Sequence, residues 1–186
     1  MSLLLTLLCQ GQAYLPLEPG TRWVYEVRSE STLAPEAPEP ARELSVDVGG
    51  AAALPDGEWT ELTNFLGYAR CWVRAGDAAV ELRVEAVEHA PVLPILKLPA
   101  RAGDAWSGAL GAEEVAFTVA GEQTLDDGRR ALRVDFQIAD RVRGALCFER
   151  GVGLVKASIT KDLDCHSAST TVYRLQTSSH TLPNQR

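Results

Sequence analysis

Apolar and polar residues alternate at every second position along much of this 186-residue chain. The clearest runs are VELRVEA at 80–86 and LRVDFQI at 132–138. Successive side chains of a β-strand point to opposite faces, so this alternation predicts strands with one buried face and one solvated face. One-sided burial is typical of antiparallel sheets, whereas the strands of parallel sheets are apolar on both faces.

Weaker alternation marks further segments, which are 23–28, 44–48, 59–65, 70–74, 115–119, 146–150, 154–160 and 171–175. Turn residues separate several of them, as in Pro-Asp-Gly at 55–57. The stretch 91–99 contains three prolines, which cannot donate to a strand ladder, so we expect an edge strand or a connection there. We predict an all-β fold of about ten mostly antiparallel strands, forming a curved sheet, a half-barrel or a sandwich.

The N-terminal residues resemble an export signal. The apolar run at 2–9 is too short to span a bilayer and precedes Gly-Gln-Ala at 11–13, a small-x-small triplet typical of signal-peptide cleavage sites. Two alternatives stay open, namely lipidation of Cys9 after cleavage and an ordinary N-terminal strand. The signal reading predicts export to the periplasm, the cell envelope or the medium, and no later apolar run is long enough to cross a membrane.

Length and pattern together predict the domain limits. We expect residues 1–13 to be a signal-peptide remnant, 14–178 to form one all-β domain, and 179–186 to be a polar tail. The hydrophobic content of 46% is high enough for a packed core. The net charge of -7, with arginines interleaved among acidic residues, argues against a nucleic-acid partner, because binding phosphates requires clustered cations.

Motifs of the common enzyme classes are missing from the sequence. There is no Gly-x-Ser-x-Gly elbow, and the three histidines, His89, His166 and His180, lie in segments that we expect to be polar loops or tail. The glycines at 151–153 precede β-branched residues rather than a helix, so they predict a turn between strands and not a phosphate-binding loop. We therefore expect no catalytic residues and no cofactor.

A weak metal candidate is the group Asp162, Asp164 and His166, which lies beside Cys165. Carboxylate, imidazole and thiolate groups all ligate divalent ions. No Cys-x-x-Cys pair or His-Glu-x-x-His helix accompanies them, and a polar turn explains the same residues. We therefore assign no metal.

The sequence contains four cysteines. If export removes Cys9, then Cys71, Cys147 and Cys165 remain and allow one disulfide in an oxidising compartment, and the sequence leaves all three pairings open. A tight hairpin at 151–153 would place Cys147 opposite a residue near Ala157 rather than opposite Cys165.

The four tryptophans fall in or beside the predicted strands and are Trp23, Trp59, Trp72 and Trp106. Packing in the core or at a sheet edge explains them. The alternative is that they face a ligand, as a stacking platform or as the lining of an apolar pocket.

Segment 14–25, YLPLEPGTRWVY, resembles the opening of a broad group of uncharacterised bacterial exported proteins with the pattern Tyr-x-Pro-Leu-x-x-Gly-x-x-Trp-x-Tyr. Segments 98–106 and 148–156, the latter ending in GVGLVK, agree with the group in the same order, although Glu149 and Arg150 depart from its usual residues. The resemblance implies a curved sheet similar to the half-barrels of periplasmic lipoprotein carriers, whose concave face holds acyl chains. The group has no agreed catalytic residues to carry over.

Segments 17–23 and 98–106 also echo each other, since both run from an apolar-Pro entry through Gly to Trp. The echo indicates either duplicated halves of one sheet or shared turn chemistry.

Three functions stay open on these grounds. The first is a non-catalytic exported or envelope domain whose curved sheet binds an apolar small molecule or a lipid. The second is a structural module that binds an envelope protein, which predicts an exposed apolar patch or a free strand edge. The third is a carboxylate-based hydrolase, which predicts acidic side chains converging in a cleft. A pocket of a few hundred Å³ is the feature that the first hypothesis requires.

Overall fold

The computed structural model describes residues 10–33, 39–164 and 167–179. They form one short helix, α1, at Gln10–Tyr14, and a single antiparallel sheet. The twelve strands are β1 (Arg22–Ser31), β2 (Arg42–Leu54), β3 (Gly57–Phe65), β4 (Tyr68–Ala75), β5 (Ala79–Arg83), β6 (Leu93–Lys97), β7 (Ala105–Leu110), β8 (Glu113–Thr124), β9 (Arg130–Ile138), β10 (Val142–Glu149), β11 (Gly153–Asp162) and β12 (Ala168–Ser179).

The predicted all-β class is confirmed, and the strand count is twelve rather than about ten. Each of the ten alternating segments overlaps a strand, although β5 ends at Arg83, before the end of the run at 80–86. The two additional strands are β6, which contains Pro94 and lies at a sheet edge as the prolines predicted, and β7. The glycines at 151–153 form the turn between β10 and β11, and Cys147 pairs with Lys156, next to the expected Ala157.

Neighbouring strands follow the order β6-β5-β4-β3-β2-β1-β12-β11-β10-β9-β8-β7. The sheet therefore consists of two meanders, β1–β6 and β7–β12, joined where β1 pairs with β12. The first strand of each meander begins within the last residues of one copy of the sequence echo, and both meanders contain six strands in consecutive order. Register shifts in five strand pairs mark β-bulges, which bend strands and help a sheet to curve into a barrel.

The two edge strands, β6 and β7, approach each other and nearly close the barrel. The indole Nε1 of Trp106 on β7 donates to the Pro94 carbonyl oxygen on β6 at 2.7 Å. Gly108 on β7 allows close packing, because a Cβ built there would lie 2.8 Å from Cδ1 of Leu93. The two strands do not form a backbone ladder, so contacts of this kind join them along a seam.

Residues of the N-terminal segment lie across one end of the barrel, which we call the capped end. The Gly11 N–H donates to the Gly76 carbonyl in the β4–β5 connection at 3.0 Å. The Ala13 carbonyl accepts from the Gly151 N–H in the β10–β11 connection at 2.6 Å. These connections lie on opposite sides of the strand ring, so the segment bridges the opening. Leu15 follows it and is fully buried.

Large side chains fill the barrel interior towards the capped end. Trp23, Tyr25 and Phe148 are each at most 2% exposed. The Tyr25 hydroxyl donates to the Leu154 carbonyl at 2.7 Å, and burial raises its pKa well above the ordinary value. A buried hydroxyl needs such a partner, so this bond fixes the ring while its apolar part packs in the core.

The predicted limits at residues 13 and 179 stay predictions. Residues 1–9, which include Cys9, and 180–186 lie outside the described part of the chain, as does most of the Pro-rich segment 35–40. Of the described helices, none is long and apolar enough to cross a membrane.

Candidate functional site

A cavity of about 390 Å³ occupies the end of the barrel opposite the cap. The connections β3–β4, β7–β8, β9–β10 and β11–β12 surround this open end. Residues on both sides of these connections line the cavity, so its walls come from both meanders. Its volume falls within the range of about 300–1,000 Å³ that is usual for small-molecule pockets.

The cavity wall is mostly apolar. The apolar lining residues are Leu66, Leu82, Leu93, Ile95, Leu110, Val115, Phe117, Phe136, Ile138, Val142, Leu146 and Ile159. Most of them are inward residues of the alternating strands, so the pattern that predicted a buried face also builds much of this wall.

A row of aromatic rings connects the seam to the cavity. Trp106, Phe117 and Phe136 occupy paired positions on β7, β8 and β9. The Trp106 and Phe117 rings stack with centroids 5.4 Å apart, and the Phe117 and Phe136 centroids are 6.3 Å apart. Both phenylalanines line the cavity, so Trp106 contributes by supporting Phe117 from the seam.

Gly144 on β10 has no side chain and so leaves space for the Phe136 ring. A Cβ at Gly144 would lie 2.6 Å from the Phe136 Cζ atom and would also meet the Ser158 carbonyl oxygen. The ring therefore covers the glycine, an arrangement that protects a glycine within a strand and leaves the ring facing the cavity.

The two-residue turn between β3 and β4 places a leucine at the cavity. Leu66 has φ of 51° and Gly67 has φ of 87°. Positive φ at both central positions is typical of a type I′ hairpin turn, in which Asn-Gly is preferred and a leucine is strained. Leu66 nevertheless lines the cavity, so the strained position holds an apolar side chain at the open end.

Five lining residues have polar side chains, and they are Tyr68, Glu113, Lys161, Thr171 and Tyr173. Burial raises the pKa of the Tyr68 hydroxyl, and the charges of Cys71 and Glu113 raise it further. Burial also raises the pKa of the Tyr173 hydroxyl, while Arg42 opposes this shift. Both phenols therefore stay protonated at neutral pH and can donate a hydrogen bond to a ligand.

None of the four tryptophans named from the sequence is among the residues that line this cavity. Trp23 is buried in the filled part of the barrel, and its Nε1 donates to the Val152 carbonyl at 3.1 Å. Trp106 lies at the seam. Trp72 alternates with the inward residues of β4 and is therefore on the outer face.

Trp59 also lies on the outer face of the sheet, yet it is only 1% exposed. The Arg74 and Arg83 guanidinium groups lie 4.5 Å and 5.5 Å from its ring centroid, and its Nε1 donates to Asp56 at 3.1 Å. Arg83 is also buried and forms an ion pair with Asp56. The two guanidinium groups cover the Trp59 ring, so cation–π contacts explain why this outward side chain is buried.

The metal candidates are only partly described. The Asp162 carboxylate accepts from the Arg143 guanidinium at 2.7 Å, which is the bonding of a surface ion pair. Asp164 lies in the β11–β12 connection, and His166 and Cys165 lie outside the described residues. Within residues 10–33, 39–164 and 167–179, no group of three potential ligands is close enough to hold a metal ion.

Cys71 and Cys147 are both buried free thiols, so they do not pair with each other. Burial raises the pKa of Cys71 to about 12, and it also raises the pKa of Cys147. The pairings that involve Cys165 lie outside the described residues.

The comparisons with known proteins add little to this geometry. No protein-family model and no curated protein matches the chain. A solved structure of a candidate exported protein with a YmcC-like fold from Bacteroides fragilis is 12% identical, with 88% of this chain and 99% of that chain covered and a TM-score of 0.48. A candidate lipoprotein from Parabacteroides distasonis is 15% identical over the same shares, with a TM-score of 0.43. At these values neither similarity establishes a shared function.

Proposed function

We propose that this protein is an exported, non-catalytic domain that binds an apolar small molecule in the open end of its barrel. The observation that carries the proposal is the cavity of about 390 Å³ with its mostly apolar wall. Burying apolar surface stabilises a complex by about 25 cal/mol per Å². A wall of this kind offers that stabilisation to a ligand, and the few polar groups can orient it. The signal-like residues 1–13 support export.

The composition of the wall also favours binding over catalysis. Among the described residues that line the cavity, Glu113 is the one carboxylate, and there is no histidine or cysteine. Hydrolysis by paired carboxylates needs a second acidic group across the scissile bond. The lining does not supply that group, so the hydrolase hypothesis has no support from this cavity.

A second candidate function is contact with an envelope protein at the open end. The large apolar residues that are exposed in the described part of the chain are Leu33, Val87 and Leu163. They lie on the β1–β2, β5–β6 and β11–β12 connections, which all belong to the open end. Apolar residues gathered at one end favour a docking surface there.

Native mass spectrometry of the protein secreted by a bacterial host, with a denatured control, tests the proposal. We expect a mass excess that disappears on denaturation, or one that appears after incubation with a medium-chain fatty acid. A bare monomer under both conditions would contradict ligand binding and favour the docking function. The denatured mass also shows whether residues 1–13 are removed.

A further inference from the structure

The position of Lys161 distinguishes it from the other lysines of the chain. The sequence contains three lysines. Lys156 forms an ion pair with Asp126 at 3.6 Å, and Lys97 is exposed on the edge strand β6 without lining the cavity. Lys161 alternates with Ile159 on the inward face of β11, and both line the cavity. It is therefore the lysine whose charge borders the apolar wall.

Hydrogen-bond donors and a second cation lie on the same side of the open end. Thr171 and Tyr173 line the cavity from β12, which pairs with β11. The charge of Arg42, at the start of β2, acts on the Tyr173 hydroxyl. Within the described residues, neither Lys161 nor Arg42 forms an ion pair. Lys161 lines the cavity, whereas Arg42 lies at the open end without lining it.

Glu113 borders the cavity from β8, with β9 and β10 between it and the strand of Lys161. The two residues do not form an ion pair with each other, and the charge of Glu113 acts instead on the Tyr68 hydroxyl. The charged side chains that line the cavity are therefore Lys161 on β11 and Glu113 on β8. A negatively charged ligand group is attracted to the first and repelled by the second.

We propose that the ligand is a single-chain amphiphile whose anionic head group binds at Lys161, while its alkyl chain fills the cavity. This inference rests on the proposed function and specifies its ligand class. At about 30 Å³ per methylene, close to the volume of a water molecule in the liquid, a cavity of about 390 Å³ holds a chain of about a dozen carbons. The shared chemistry is an anionic group on an alkyl chain, and both carboxylates and phosphate monoesters provide it.

Isothermal titration calorimetry with ligands of equal chain length tests the head group. The ligands are decanoic acid, decyl phosphate, decanol and decylamine, each below the concentration at which it aggregates. We expect the acid or the phosphate to bind about tenfold more tightly than the alcohol or the amine, because only an anion forms an ion pair with Lys161. The ratio between acid and phosphate identifies which anion the site prefers.

Three variants separate the head-group inference from the proposed function. Lys161→Met keeps the apolar stem and removes the charge, so we expect it to abolish the preference for the anion while decanol still binds. Glu113→Gln removes the repelling charge and should strengthen binding of the acid. Lys97→Met is the matched control, which removes a lysine that does not line the cavity and should leave all affinities unchanged.

The results distinguish failure of the head-group inference from failure of the proposed function. If decanol and the acid bind equally to the wild type, or if Lys161→Met and Lys97→Met behave alike, the head-group inference is wrong and the apolar site stands. If no ligand binds to any variant while circular dichroism shows a folded protein, the proposed function itself is wrong.

Discussion

The affinity for fatty acids should rise with the length of the alkyl chain until the chain fills the cavity. Each methylene buried in an apolar site contributes about 0.8 kcal/mol, which is about a fourfold change in Kd. The cavity of about 390 Å³ holds about a dozen methylenes at about 30 Å³ each. We therefore expect log Kd of saturated fatty acids to fall steadily with chain length and to level off near about twelve carbons, where further carbons stay in water.

Filling part of the cavity should move this break to shorter chains. Ile159 lines the cavity from β11, and tryptophan in its place takes up space for roughly two or three methylenes. We expect Ile159→Trp to shift the break to about ten carbons. Ser158→Trp is the matched control, because it places the same indole on the outer face of the same strand and should not shift the break.

Calorimetric titration with acids of about six to about sixteen carbons, below their aggregation limits, measures the break in each variant. A slope that continues unchanged from about twelve carbons up to the longest acid would refute the volume argument. The same break in the wild type and in Ile159→Trp would refute the location of the site, provided that both proteins have the same circular dichroism spectrum.

Three further predictions concern stability in urea. Tyr25→Phe should lose about 1–2 kcal/mol, because the Leu154 carbonyl loses a buried hydrogen bond, and an unchanged midpoint would contradict this. In the chain that retains residues 1–13, Gly11→Ala should lose about 1–3 kcal/mol, because its methyl group meets the Gly76 carbonyl, and a neutral effect would show that the cap does not stabilise the barrel. Burial raises the pKa of Cys71 from 9.0 to about 12. The buried neutral thiol therefore contributes its full stabilisation of the fold below about pH 9, and this contribution is lost as the pH rises towards 12. The stability of Cys71→Ala should fall less over that range, and equal slopes would contradict the burial of this thiol.

Much of the fold could be predicted from the sequence because one physical rule, the alternation of strand faces, repeats along the chain. The rule is clearest where large apolar residues alternate with charges, as in 132–138 on β9. It did not reveal β7, because Ser107, Gly108 and Ala109 are small and give no apolar contrast. A glycine is needed at position 108 because β7 lies close to β6 there. This contact joins the two edge strands, which lie at opposite ends of the strand order.

The cavity could not be predicted in the same way. An inward residue of a filled barrel and one that borders a cavity have the same pattern, so Ile159 and Val46 look alike in the sequence. What separates them is the amount of side-chain volume facing each level of the barrel. Trp23 and Tyr25 fill the capped half, whereas the side chains of the open half leave a cavity between them. Tryptophan was therefore a misleading marker of this cavity, since none of the four lines it.

Two residues of the site, Lys161 and Leu66, depart from the local sequence pattern, but these departures alone did not identify the site. Lys161 continues the inward positions of β11, where an apolar residue would keep the alternation. Leu66 before Gly67 occupies a turn position where Asn or Asp is preferred. Each departs from a local rule at a position that the cavity uses, which is where such departures are expected in functional proteins.

The most direct test of the central claim is methyl NMR of the protein with a fatty acid that carries a nitroxide label at the end of its chain. The account predicts strong broadening of the methyl signals of Leu146 and Ile159, which line the cavity, with Leu15 and Val46 in the capped half much less affected. A diamagnetic analogue provides the control for shifts caused by binding alone. Broadening confined to residues of the outer face, or spread evenly over exposed methyl groups, would contradict a ligand site inside the open end of the barrel.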